Sequence, residues 1–250
     1  MQFLTAQFLT AQWKHLILAN YEVPPHLLEP FVPAKTKLDL FQGKCYVSLV
    51  AFLFDQTRVL GIPVPFHRCF EEVNLRFYVT PDREPGLRAV TFIKEIVPRS
   101  AIPCIANTLF HENYVAMPMG HRFELKSDVK ADLAQADSIE RITKLEYRWG
   151  NKLQNCFSAA IQRDLHYPTT GSLGEFITEH YWGYAKGPRK TREYHVQHPR
   201  WLSCEIDDAK IHVDFGELYG SSFGFLSETR PANVLYALGS PVGVSFPSSL

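Results

Sequence analysis

This sequence lacks a charge imbalance, a membrane-length apolar run and a paired-cysteine motif. Lysine and arginine number 26, matched by 26 aspartates and glutamates. That balance gives no basic footprint for nucleic acid, so none is expected as a partner. The longest apolar stretch, Tyr46 to Phe54 interrupted by Ser48, is far shorter than the ~20 residues a bilayer-spanning helix needs. The start, Met1-Gln2-Phe3-Leu4-Thr5, has neither the basic opening nor the apolar segment of a secretory signal. The expectation is a soluble, cytoplasmic protein with no membrane partner. Five scattered cysteines, Cys45, Cys69, Cys104, Cys156 and Cys204, contain no C-x-x-C pair, which leaves no zinc ribbon and no thioredoxin-type site. They read as packing thiols in a reducing compartment. G-x-G-x-x-G and G-x-x-x-x-G-K are also absent, so classical dinucleotide and nucleotide sites are unsupported and no cofactor is expected.

One apparent motif fails on chain order. Gly220-Ser221-Ser222-Phe223-Gly224 has the spacing of a hydrolase nucleophile elbow, but that fold places the acid and then the histidine after the serine. No Asp or His follows Ser222. His195-x-x-His198 resembles part of a metal site, yet on a strand the two rings face opposite ways and no third ligand is near, so no metal is expected.

What the chain does contain is strands. With 46% hydrophobic and 21% charged residues it has ordinary globular composition. Short segments rich in aromatic and β-branched residues span 13–21, 44–54, 70–80, 88–97, 114–118, 144–149, 155–163, 193–196, 201–206 and 210–215, mostly separated by turn residues. Three short helices are predicted, at 24–31, at 101–111 and, behind the capping box Ser172-x-x-Glu175, at 173–181. The spacing puts Leu173, Phe176, Ile177 and Tyr181 inward on the last. The implied fold is β-rich α+β, a mostly antiparallel, barrel-like sheet with a few short helices, in a single domain over 1–250. A five-residue duplication, Gln2–Ala6 repeated at Gln7–Ala11, is too short for a repeat architecture.

The most informative segment is Phe70–Val79. Period-two geometry puts Glu72, Asn74, Arg76 and Tyr78 on one face and Val73, Leu75, Phe77 and Val79 on the other. An acid, an amide, a guanidinium and a phenol in one row suit a pocket for a polar small molecule. Arg76 would neutralise a carboxylate or carbonyl, and Glu72 would act as acid or base. Lys94, amid apolar neighbours, is a candidate nucleophile if buried. His111-Glu112-Asn113-Tyr114 could supply an acid or base from a loop. The rival reading is a solvated polar row on a partner-binding protein, with Tyr181, Trp182 and Tyr184 as an exposed aromatic surface. The oligomeric state is left open.

Several stretches carry a wider resemblance: Trp13-Lys14-His15-Leu16 with Asn20-Tyr21, Leu38–Val50, Gly61–Val79, Phe92–Arg99, Glu112–Met119 and Ser172–Tyr181. Together they resemble the bacterial YqjF-like family, whose function is unknown and whose fold is distantly similar to that of acetoacetate decarboxylase. The resemblance implies a β-rich domain around a cavity. Enzymes of that fold use one lysine of an adjacent pair, after a proline, to form an imine. Here Pro98 is followed by Arg99 and Ser100, and no Lys-Lys pair occurs. A guanidinium stays protonated and cannot form the imine, so acetoacetate decarboxylation is not expected. Glu72 matches an acidic strand position of those enzymes, Ser48 stands near a second, and Arg99 becomes a possible anion contact. The expectation is a small organic ligand carrying a carboxylate or carbonyl. A carbonyl lyase using Lys94 is the enzymatic alternative.

Overall fold

Long apolar strands need cover on both faces, and here they get it by curling into a ring. The computed structural model describes residues 7–65, 67–125, 142–187 and 190–250. Its strands are β1 (Gln7–Val23), β2 (Thr36–Leu38), β3 (Cys45–Val59), β4 (Ile62–Pro63), β5 (Phe70–Pro81), β6 (Ala89–Val97), β7 (Tyr114–Ala116) and β8 (Met119–Leu125), followed by β9 (Ile142–Trp149), β10 (Asn155–Ala160), β11 (Trp182–Lys186), β12 (Thr191–Gln197), β13 (Ser203–Glu205), β14 (Ala209–His212), β15 (Asn233–Ser245) and β16 (Ser248–Ser249). Helices are α1 (Ala101–Leu109), α2 (Leu173–Thr178) and α3 (Phe215–Tyr219), with short 3-10 turns at Pro25–Leu27, Glu29–Phe31 and Ser221–Ser227. The last turn covers the G-x-S-x-G sequence. The first copy of the duplication lies outside the described residues; the second opens β1.

The main sheet runs β15-β1-β3-β5-β6-β11-β12, and β12 pairs back onto β15, with Val196 opposite Val244 and Gln197 opposite Gly243. Seven strands thus close a ring. Every neighbouring pair in it is antiparallel except β6–β11. A second sheet, β14-β10-β9-β8, covers part of the ring from outside. Its Leu145, Tyr147, Trp149 and Phe157 share one apolar cluster with Ile17, Leu49, Leu75 and Phe77. The alternate residues Leu16, Leu18, Val50 and Phe52 join a second cluster inside the ring. With both faces buried, such strands read as near-continuous apolar runs. The barrel-like, strand-rich expectation therefore agrees with the structure.

Helix α2 packs into the ring. The Ser172 hydroxyl accepts from Glu175 N at 3.2 Å, and Phe176, Ile177 and Thr178 are buried. It ends three residues earlier than the spacing predicts: Glu179 leaves helical geometry, and Tyr181 is half-buried rather than on a helix face. A hydrogen-bonded row crosses four strands. Asn20 Nδ2 donates to Asn233 Oδ1 (2.8 Å), Ser48 Oγ donates to Asn20 Oδ1 (2.5 Å), and the Tyr78 hydroxyl lies 2.5 Å from Ser48 Oγ. The paired groups satisfy polar atoms that would otherwise be stranded in the core.

The thirteen-residue β15 is the largest element that sequence patterning misses. Gly239, Pro241 and Gly243 break its alternation into what reads as loop. Gly239 is obligatory for close approach: its φ is +88°, and a Cβ there would lie 2.0 Å from Trp13 O. Gly239→Ala is expected to destabilise the protein by about 2 kcal/mol or more. Denaturant melts check this, and an unchanged midpoint would refute the packing argument.

Candidate functional site

The polar row of β5 is inside the ring. Glu72, Asn74, Arg76 and Tyr78 are all buried, at 3%, 2%, 7% and 1% exposure, so the solvated-face reading is corrected. The opposite row, Val73, Leu75, Phe77 and Val79, packs beneath the second sheet and α3. Glu72, Asn74 and Arg76 line a cavity of about 190 Å³ to which all seven ring strands contribute. Tyr78 is not on its wall. Its hydroxyl is tied to Ser48, and its ring packs on Phe176 (5.0 Å) and His180 (4.6 Å) below the cavity.

A bulge in β6 decides which side chain reaches the cavity next. Leu75 pairs with Lys94, but the following residue, Arg76, pairs with Phe92. The extra residue, Ile93, shifts the alternation, so Phe92 and Glu95 both line the cavity while Lys94 faces out. Strict alternation continued from Phe92 would have put Lys94 inside and Glu95 outside. Lys94 Nζ instead donates to Leu218 O near the end of α3, 6.0 Å from the Tyr219 ring. Burial lowers its pKa, but no lysine lines the cavity among the described residues. The bulge is held by Asn113, whose side chain donates to Ile93 O (2.9 Å) and whose carbonyl accepts from Glu95 N (3.1 Å).

The same loop delivers Glu112 into the cavity. Three carboxyl groups from separate segments, Glu72, Glu95 and Glu112, thus share one enclosure with two phenols. Tyr114 donates to Glu72 Oε2 at 3.1 Å and also lies against Glu95. Asn74 Nδ2 donates to Glu72 Oε1 at 2.9 Å, and Tyr194 donates to Glu112 Oε1 at 2.5 Å. Glu95 Oε2 has no partner among the described residues. Tyr194 can lie where it does only because its cross-strand neighbour is Gly183; a Cβ there would meet the Tyr194 ring at 2.2 Å. Sequence reading missed Glu95, Tyr194 and Gly183. The first is hidden by the bulge, and the other two by pairing between strands far from β5.

Arg76 is the cation among these acids. One terminal nitrogen donates to Ile177 O at the end of α2 (3.2 Å), while Nε has no partner among the described residues. Burial pushes the Glu72 carboxyl up to about 7, against the opposing pull of Asn74, Tyr114 and Arg76. Burial also raises Glu112 to about 8. Glu95 is raised well above the carboxylate range by burial, with Glu112 and Glu72 adding like-charge repulsion. Burial holds His180 well below its ordinary value, helped by Arg76, Arg88 and His198, so the ring stays neutral.

Around this polar floor the walls are aromatic and aliphatic, including Trp13, Phe52, Phe54 and Trp201. Ala101, Ile102, Ile105 and Ala106 of α1 form part of the rim; Ile105 and Leu109 remain exposed. Arg99, the expected second anion contact, lies just before α1, exposed and off the cavity wall. His195 stacks on Trp182 (4.8 Å), and His198, beyond the end of β12, lines the cavity and stacks on Trp201 (4.3 Å). Among the described residues no three His, Cys, Asp or Glu side chains are placed to hold a metal ion. Tyr184 is fully buried and donates to Glu193 (3.0 Å), and Trp182 lines the cavity, so the exposed aromatic surface does not exist. All five cysteines are free; Cys69 and Cys104 are exposed rather than packed. Among the described residues no helix is long and apolar enough to cross a membrane.

A family model described as an uncharacterized conserved protein, DUF2071, matches residues 10–241. The chain belongs to that family. It is 29% identical over 206 residues to the uncharacterized protein YqjF of Bacillus subtilis (strain 168), covering 81% of this chain and 77% of the relative. The solved structures it resembles include the enduracididine biosynthesis enzyme MppR with bound HEPES buffer (TM-score 0.65, 10% identity, 99% of this chain and 89% of that one). An acetoacetate decarboxylase-like enzyme from Sphingomonas wittichii RW1 gives 0.62 at 12% identity, over 98% and 94% of the two chains. Acetoacetate decarboxylase from Legionella pneumophila gives 0.63 at 8% identity, over 100% and 91%. At such identities the likeness is one of fold, and it is the acetoacetate decarboxylase-like fold that the sequence resemblance implied.

The buried carboxyls carry a stability signature. Glu72 and Glu112 keep their protons in the folded chain at pH values where the unfolded chain has released them. Stability is therefore highest below the ordinary carboxylate range and falls as pH rises through about 7 and 8. The loss is about 1.4 kcal/mol per pH unit for each such group. Melting temperature should decline from about pH 5 to about pH 8, and less steeply in Glu112→Gln. Parallel slopes in the two proteins would contradict the assignment.

Proposed function

We propose that this chain binds a small, largely apolar molecule with a single carbonyl or carboxylate head, the head turned toward Arg76. The observation that carries the reading is Arg76 itself: a guanidinium buried to 7% exposure on a cavity wall, with Nε unpartnered among the described residues. A buried charge is costly unless it is paired or hydrogen-bonded, and a ligand oxygen completes what Ile177 O begins. Neutral His180 offers a second polar contact beside it, since neither ring nitrogen has a hydrogen-bond partner among the described residues. The protonated carboxyls of Glu95 and Glu112 can donate to the same head. The apolar walls select for an aliphatic or aromatic body.

One fold relative supports a carbonyl ligand: MppR structures hold pyruvate and the condensation product of pyruvate and imidazole 4-carboxaldehyde. The imine route through Lys94 lacks support because its ammonium lies on the other side of the sheet. Calorimetry with phenylpyruvate, phenylacetone and propylbenzene separates the contributions of carboxylate, carbonyl and apolar body. At least one oxygen-bearing probe should bind about tenfold or more tighter than propylbenzene, and Arg76→Met should erase the difference. Equal affinities for all three in the wild-type protein would overturn the reading.

A further inference from the structure

The binding reading leaves three carboxyl groups and two phenols with more polar capacity than holding one head group requires. We propose that the cavity catalyses proton transfer at the carbon next to a carbonyl, with Arg76 holding the carbonyl oxygen and Glu95 taking the hydrogen, without a lysine imine. The inference rests on the ligand reading above and names its substrate class: small enolisable ketones with an apolar body.

Four features converge on it. Glu95 and Asn74 are cross-strand partners, and Arg76 lies two residues along β5 on the same inner face. Glu95 Oε2 is buried and has no partner among the described residues, whereas both oxygens of Glu72 accept hydrogen bonds. Arg76 Nε, on the same wall, likewise has no partner among the described residues. Tyr114 touches both Glu72 and Glu95 and so joins them for proton exchange.

The step balances within the cavity. With one negative charge on the carboxyl cluster, Glu95 passes its proton to the Tyr114 oxygen while the Tyr114 proton moves to Glu72. The Glu95 carboxylate then accepts the hydrogen from the substrate carbon. The C–H electron pair becomes the enolate π bond, and the carbonyl π electrons move to oxygen, where Arg76 stabilises the charge. Return of a proton to carbon and reversal of the relay restore the protein, so no oxidant, reductant or cofactor is consumed. Burial, with like-charge repulsion from Glu112 and Glu72, raises the Glu95 pKa and makes its carboxylate a stronger base than an ordinary one. A base, an acid relay and a preorganised cation around one enclosed point define the reaction class.

The test is hydrogen–deuterium exchange of phenylacetone in D2O, followed by proton NMR, with native mass spectrometry for binding. Wild-type protein should speed exchange at the carbons flanking the carbonyl by about 100-fold or more over matched buffer. Glu95→Gln should bring the rate to background, and Tyr114→Phe should slow it by about tenfold or more through loss of the relay. Near-ultraviolet circular dichroism confirms that each variant is folded. The rate should rise with pH as the cluster acquires its charge; the groups facing Glu95 are Glu72, Glu112, Tyr114, Tyr194 and Arg76. Binding of phenylacetone by the wild type without faster exchange overturns the proton transfer and leaves the binding reading standing. Failure to bind phenylacetone, phenylpyruvate and propylbenzene alike overturns both. Exchange that survives in a folded Glu95→Gln protein, or that borohydride abolishes with a mass gain on a lysine, also overturns the proposal.

Discussion

A sheet buried on both faces leaves a polar side chain two options, a hydrogen bond inside the protein or an unmet demand. That constraint organises this molecule. The outer face of the ring meets it by carrying apolar residues under the second sheet and α3. The inner face meets it twice. Low in the ring, Asn233, Asn20, Ser48 and Tyr78 satisfy one another in a row and leave little for a ligand. Above them, Arg76, Glu95 and His180 each keep a buried polar atom without a partner among the described residues beside an open cavity. Unmet demand in a structural core would be a defect; here these atoms gather around one cavity, which is the basis of the binding proposal.

The same constraint governs charge. Three carboxylates and one guanidinium cannot all be ionised in an enclosure this apolar. Desolvation leads the causes of the raised pKa at all three glutamates, with mutual repulsion second at Glu95. The cavity thereby acquires neutral acids, which can donate as well as accept, beside a cation that cannot be switched off. In imine enzymes the activated group is a lysine made neutral by its surroundings. Here the groups held close to neutral are glutamates, and the permanent charge belongs to Arg76.

How much of this was legible in the sequence follows from the range of each signal. The alternation of Glu72, Asn74, Arg76 and Tyr78 is local, and period-two geometry carried all four to the inner face. Family resemblance along six segments carried the fold, and the acetoacetate decarboxylase-like structures agree with it. The β6 bulge leaves no trace in an apolar run, because Phe92-Ile93-Lys94-Glu95-Ile96 alternates equally well in either register. That single extra residue puts Glu95 rather than Lys94 on the cavity wall. β15 was lost for the opposite reason: its glycines and proline are turn residues by local rule, and only the ring shows that Gly239 is needed to let Trp13 O approach.

Position within the ring also separates Glu112 from the other acids. It comes from the loop after α1, the helix whose side chains form part of the rim, and that loop grips the β6 bulge through Asn113. Rim, bulge and Glu112 are therefore joined through one short loop. Ile102 and Ile105 thus belong to the helix that leads directly into the segment placing Glu95 and Glu112. The apolar rim residues of α1 therefore stand one short loop away from the acid that this loop brings into the cavity.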